Sequence, residues 1–185
     1  MGKDAVHDSA GSGETIDAAT PSPDVVRART VSWEDPTVGA ALAKTMTGLE
    51  YIRALIDGTV PAPPIVHLMN MTAVSAEVGS VTFTCDPDES AYNPIGTVAG
   101  GLVCTLLDSV LGCAVQTTLP KGQAYTSLEI KVSYLRPVHA YTGRLTAVGV
   151  VTKPGSRVAF ADATVHDSTG KLVATASSTL LVFPV

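Results

Sequence analysis

The chain has 185 residues, 45% of them hydrophobic and 16% charged, with a formal net charge of -5. That length and apolar content suit one compact domain with a substantial core and exclude a chain disordered throughout. With 12 Lys and Arg against 17 Asp and Glu there is no basic excess to meet phosphates, so nucleic-acid binding is set aside.

Charge is concentrated at the beginning. Residues 1–36 hold three basic and seven acidic side chains, which leaves residues 37–185 nearly neutral. A near-neutral body rich in Val, Ala, Leu and Thr tolerates self-association. Residues 1–34, dominated by Gly, Ser, Thr, Pro and Asp up to about residue 30, read as a flexible leader. No basic start followed by an apolar run marks a signal peptide, and the longest apolar run, within 102–115, is too short for a bilayer. The chain reads as cytoplasmic.

Asp35-Pro36-Thr37 looks like a helix start. Val38, Leu42, Met46, Leu49, Ile52, Leu55 and Ile56 follow at three- and four-residue steps, which predicts one amphipathic helix from 36 to 56. Trp33 stands just before it as an anchor. Gly58 and Pro61-Ala62-Pro63-Pro64 end that helix. Beyond the prolines the period becomes two. Runs near 72–85, 124–135, 144–152, 157–166 and 171–183 read as strands, with Leu128, Ile130, Val132 and Tyr134 alternating against Glu129, Lys131 and Ser133. Lys153-Pro154-Gly155 and Asp167-Ser168-Thr169-Gly170 supply turns, and the last four strands are expected to form an antiparallel meander.

Gly100 to about Thr118 is different, with apolar residues on every side, and predicts a helix buried all round. One buried helix held by an antiparallel sheet is an α+β arrangement. Between Gly100 and Pro120, Asp108 is the one charged residue. A lone carboxylate in apolar surroundings is costly, so it is either a functional group or bonded to a neighbour such as Thr105 or Ser109. Gly100-Gly101 opens the same helix, where free backbone N–H groups can hold an acyl oxygen as it becomes an oxyanion, although a glycine pair also serves a tight turn. Eight residues of helix place Asp108 roughly 12 Å from Gly100 at ~1.5 Å per residue. If both act on one substrate they come from different subunits, with the two helices antiparallel about a two-fold axis.

Three blocks carry a resemblance: Asn93-Pro94-Ile95-Gly96-Thr97-Val98-Ala99-Gly100-Gly101, Leu106-Leu107-Asp108-Ser109, and Leu128 through Pro137. Together with Gly170 to Ala176, they resemble the hotdog-fold acyl-CoA thioesterases of the phenylacetate-pathway (PaaI) type over about residues 46–183. The resemblance implies a sheet wrapped around a central helix within 35–185, and dimers that pair into tetramers. It also implies hydrolysis of acyl-CoA thioesters with no metal and no cofactor, coenzyme A being part of the substrate. By the same resemblance Asp108 is a general base or nucleophile, and Gly100 is the oxyanion-hole residue. Asn93 lies near the attacking water or the thioester, and Ser127, or Thr126 in a shifted alignment, is a hydroxyl beside the carboxylate. Ala99 and Gly101 flank the thioester. Ala99 departs from the family, which usually carries His there, and a methyl group cannot donate a hydrogen bond. This leaves three readings: altered activity, a non-hydrolysing acyl-CoA or acyl-carrier binding protein, or a deliberate inactivating substitution.

Other features read more simply. Arg136, Lys153 and Arg157 are either contacts for coenzyme A phosphates or solvated charge. His67, His139 and His166 show no ligand or triad spacing, and no His lies near enough to Asp108 in sequence for a hotdog hydratase. Cys104 and Cys113 read as core, and with Cys85 they show no zinc spacing. Met46, Met69 and Met71 fit either an acyl tunnel or the core. An apolar helix region suits an aryl or medium-length acyl group.

Overall fold

The computed structural model describes residues 26–185. Of the leader expected over 1–34, residues 1–25 lie outside the described residues. Residues 26–34 form no helix or strand and lie against the domain through Arg27, 2.7 Å from Glu89, and through Arg29. Trp33 is half exposed.

The helix start at Asp35 is where the sequence puts it, with the Asp35 carboxylate accepting from the Thr37 amide at 2.9 Å. The single helix expected to run to 56 is two, α1 (Pro36–Ala43) and α2 (Gly48–Ile56). Thr47 makes a capping box with Glu50, its amide donating to the Glu50 carboxylate at 2.9 Å. The Thr-x-x-Glu pattern at 47–50 was a readable signal of this restart. The prolines also begin something: Pro64 opens a short helix, α3 (Pro64–Leu68), since its missing N–H costs nothing in a first turn.

The run at 72–85 is a hairpin, β1 (Met71–Glu77) and β2 (Ser80–Cys85), turned by Gly79 at φ +80°. The long helix α4 (Gly100–Gln116) follows, then β3 (Gln123–Tyr134), β4 (Leu145–Lys153), β5 (Val158–His166) and β6 (Leu172–Pro184). All six strands form one antiparallel sheet in the order β1-β2-β4-β5-β6-β3. The meander therefore holds for β4, β5 and β6, while β3 pairs with β6 rather than β4. The link from 135 to 144 is too long for a tight turn, and it carries the chain from the β3 edge past the start of α4, where the Val98 amide donates to the Val138 carbonyl at 2.8 Å.

The core is the interface between α4 and the sheet's inner face, with Leu106, Leu107, Val110 and Leu111 fully buried against residues such as Leu145, Ala147, Val165 and Leu180. Gly149 on β4 is what lets the helix come so close. A Cβ there would lie 2.3 Å from the Val110 carbonyl oxygen. The helix is not buried all round, however. Gly101 is exposed, and Cys104, Thr105, Asp108 and Ser109 are half exposed, a stripe along one side of α4. Among the described residues no helix is long and apolar enough to cross a membrane.

Candidate active site

Asp108 sits in the middle of this stripe, and its partner comes from β3. The Ser127 hydroxyl donates to Asp108 Oδ1 at 2.8 Å. The neighbours that could have held it instead are turned back on the helix: Ser109 donates to the Thr105 carbonyl at 2.8 Å and Thr105 to the Gly101 carbonyl at 2.9 Å. Asp108 Oδ2 has no hydrogen-bond partner among the described residues. The carboxylate is thus oriented by one bond, and its second oxygen stays available to a further hydrogen-bond donor.

The strand reaches Asp108 because it is irregular. Ser127 pairs with Leu180 and Glu129 with Thr179, so Leu128 is an extra residue in a β-bulge. Tyr125 and Ser127 face α4 ahead of the bulge, and Ile130, Val132 and Tyr134 face it afterwards. Leu128, expected on the buried face, is 58% exposed. Strand alternation turns Thr126 away from the face that carries Ser127. The two alternatives for the hydroxyl are therefore separated, with Ser127 beside Asp108.

Gly100 and Gly101 are the first two residues of α4, so no carbonyl four residues back inside the helix takes their amides. Ala99 is the N-cap, at φ -59° and ψ 136°, and makes no side-chain cap. A Ser, Thr, Asp or Asn there would engage the amide of Gly101 or Leu102. The glycine at 100 is needed for a neighbour. Tyr134 donates from its hydroxyl to the Gly100 carbonyl at 2.9 Å, and a Cβ at 100 would meet its ring at 3.0 Å.

Gly100 lines a cleft of about 380 Å³ with Asn93, Thr97, Tyr134, Arg136 and Val138. Asn93 is held in place within its own loop. Its Oδ1 accepts from the amides of Ile95 at 3.1 Å and Thr97 at 3.2 Å, and its Nδ2 donates to the Thr97 hydroxyl at 2.8 Å. One amide hydrogen of the two on Nδ2 remains to donate. Arg136 is in none of the ion pairs among the described residues.

Within one chain the expected residues thus form two groups: Asn93, Ala99, Gly100, Gly101 and Arg136 around the start of α4, and Asp108 with Ser127 further along it. Arg157 belongs with neither cleft wall. It precedes Val158, which pairs with Leu181, itself paired with Thr126, so it lies towards the Asp108 end of the sheet and is exposed. The sequence alone does not mark Tyr134 as a site neighbour, although it stands on the alternating face of β3; the structure sets it against Gly100.

The cysteines are poor nucleophiles here, since burial pushes the Cys113 and Cys85 thiols up to about 12. Burial also raises the Tyr125 hydroxyl, which packs where a Cβ on Gly112 would be. His139 stacks on Tyr141 at 4.6 Å.

Known proteins resemble this chain in sequence and in fold. Residues 95–174 match the thioesterase superfamily. Human acyl-coenzyme A thioesterase 13 is 33% identical over 109 residues, 58% of this chain and 76% of that protein. A phenylacetic acid degradation-related protein of Ralstonia eutropha JMP134 superposes with a TM-score of 0.65 at 28% identity, over 71% of this chain and 98% of that one. The smu.793 protein of Streptococcus mutans, solved bound to acetyl CoA, superposes at 0.57 with 28% identity over 62% of this chain and 90% of that one. The chain belongs to the thioesterase superfamily and has its hotdog fold.

Proposed function

We propose that this protein hydrolyses acyl-CoA thioesters at sites shared between two copies of the chain. The observation that carries the reading is the placing of both halves on one rigid element. Asp108, oriented by Ser127, and the uncapped amides of Gly100 and Gly101 lie on the same helix, too far apart for one carbonyl group. An antiparallel pair of α4 helices brings the Asp108 of each subunit to the Gly100 of the partner subunit.

The chemistry then balances simply. The thioester oxygen rests on the Gly100 amide. Asp108 takes a proton from water as the water oxygen adds to the carbonyl carbon, and the C=O electrons move onto the amide-held oxygen. When that oxyanion collapses the C–S bond breaks, and the coenzyme A thiolate receives the proton from Asp108. The alternative route, in which Asp108 itself attacks and water then cleaves the acyl anhydride, uses the same groups. Asn93 donates its remaining amide hydrogen to the thioester or the water.

Ala99 favours a second reading. With no side chain to hold the thioester, the site would bind acyl-CoA or an acyl carrier without turnover. Free-thiol release from a panel of acyl-CoA thioesters separates the two. Turnover that disappears in Asp108→Asn supports hydrolysis; unchanged turnover in that variant removes Asp108 from the role. Binding with no thiol released supports the second reading, in which case Ala99→His should restore turnover.

A further inference from the structure

Two arginines tie the segment before α1 to the domain, and they do so differently. Arg27 pairs with Glu89 at the surface, its side chain 72% exposed, and such a pair contributes little. The Arg29 side chain is 30% exposed, and its guanidinium is shared among four acceptors. It donates to Asp88 at 3.2 Å, to the Ser90 hydroxyl at 3.1 Å, to the His67 carbonyl at 3.4 Å and to the Leu68 carbonyl. His67 and Leu68 end α3, whereas Asp88 and Ser90 belong to the turn that leaves β2. One side chain thus clasps two separate corners of the domain, which a planar fork of five donors can do and a point charge cannot.

The recess that receives the guanidinium is itself held together. Asp88 also accepts from the Ser90 amide at 2.8 Å and from Asn70 Nδ2 at 3.0 Å. Asn70, at φ +49°, is the one non-glycine residue with a positive φ among the described residues, a conformation Asn adopts more readily than most.

What the clasp holds leads to the site. Asp88 is followed by the 3-10 turn Glu89–Ala91, and the Ala91 carbonyl accepts from the Ala99 amide at 2.8 Å. Ala99 caps α4, so the turn under Arg29 is one hydrogen bond away from the residue that precedes the Gly100 amide. A hollow of about 430 Å³ has Arg29, Asn70, Asp88, Ser90, Ala99 and Gly101 in its lining, so the clasp and the first turn of α4 border one space.

We propose that Arg29 is a positioning residue, which fixes the turn at 88–91 and, through the bond from Ala99 to Ala91, the aim of the first amides of α4. Its effect on rate rests on the acyl-CoA reading above; its effect on the backbone does not. The segment before α1 is then a working part of the site.

The test compares the full-length chain with Arg29→Ala, Arg29→Lys and, as a control on the same segment, Arg27→Ala. Hydrogen exchange at the Ala99 amide, read by NMR, should quicken about tenfold in both Arg29 variants and stay near wild type in Arg27→Ala. Millimolar guanidinium chloride should restore protection in Arg29→Ala by filling the emptied recess, and ammonium chloride should not. In thiol release from acyl-CoA thioesters, kcat should fall about 10- to 100-fold with KM little changed, and guanidinium should recover it in Arg29→Ala. Unchanged Ala99 exchange in the Arg29 variants overturns the role. Exchange quickened evenly across β4, β5 and β6 overturns it too, since that marks a general stabiliser. Quickened Ala99 exchange in a protein that releases no thiol keeps the clasp and removes hydrolysis. Thiol release with kcat unaltered in Arg29→Ala does the reverse.

Discussion

The two groups of site residues on α4 are made of different material. Around Asp108 the site is built from side chains: a carboxylate, a serine hydroxyl and the bulge that delivers it. Around Gly100 it is built from backbone, with the amides of Gly100 and Gly101 open in the first turn and a tyrosine pressed against the glycine. The side-chain half owes its charge to residue identity, so one substitution erases it. The backbone half owes its donors to helix geometry, so most substitutions disturb it only indirectly.

The sharpest way to break this contrast is to put the two halves on separate chains. Asp108→Asn and Gly100→Pro should each abolish most turnover alone. Co-expressed, they should regain about a quarter of the wild-type sites, because half the dimers are mixed and each mixed dimer has one intact site. No recovery in mixed dimers would place a complete site within one subunit. Gly100→Pro also sharpens the backbone half. Proline is accepted at a first helical position, and Ala99 at ψ 136° already has the conformation that precedes it. The amide is lost while the helix stays, so kcat should fall by about 10²–10³. Gly100→Ala keeps the amide and should lose much less, its cost coming from the displaced Tyr134 ring. Equal losses in the two would mean that the amide does not carry the oxygen.

Ser127→Ala tests the orienting bond in the other half. A hydrogen bond to a charged group is worth about 1.5–3 kcal/mol, so turnover should fall roughly 10- to 100-fold, with Thr126→Ala close to wild type. The smallest effect concerns the segment before α1. Asp88 is held below the usual carboxylate range, first by the Ser90 hydroxyl, with burial opposing and Arg29 adding. A lowered folded pKa means that the Arg29 contact persists above the ordinary carboxylate range and is lost as pH falls through the folded value. Trp33, the single tryptophan, lies four residues after Arg29. Its emission should stay constant from pH 8 to 5 and change only below about pH 4. A change near pH 6 would point to a histidine instead.

Much of this was legible beforehand. Period-two runs marked the strands, and the apolar stretch after Gly100-Gly101 marked the helix. Asp108 stood out because nothing else in that stretch was charged. What could not be read was long-range pairing, since alternation in β3 says nothing about whether β4 or β6 lies beside it. The half-exposed side of α4 was also hidden, because Gly, Cys and Thr look apolar or neutral in sequence yet leave room beside them. The choice between Thr126 and Ser127 stayed open for a related reason, since a one-residue irregularity leaves no mark in composition.

That irregularity changes how residues along β3 are to be counted. Ser127 and Tyr134 are seven apart, an odd interval that in a regular strand sends side chains to opposite sides, yet both touch α4. Removing Leu128 would bring Ser127 and Glu129 into ordinary succession opposite Leu180 and Thr179 and leave both contacts on the same side. The interval between the Ser127 and Tyr134 hydroxyls can therefore shrink by one residue without moving either group. Position 128 is the place where a chain of this fold can change length while its chemistry stays where it is.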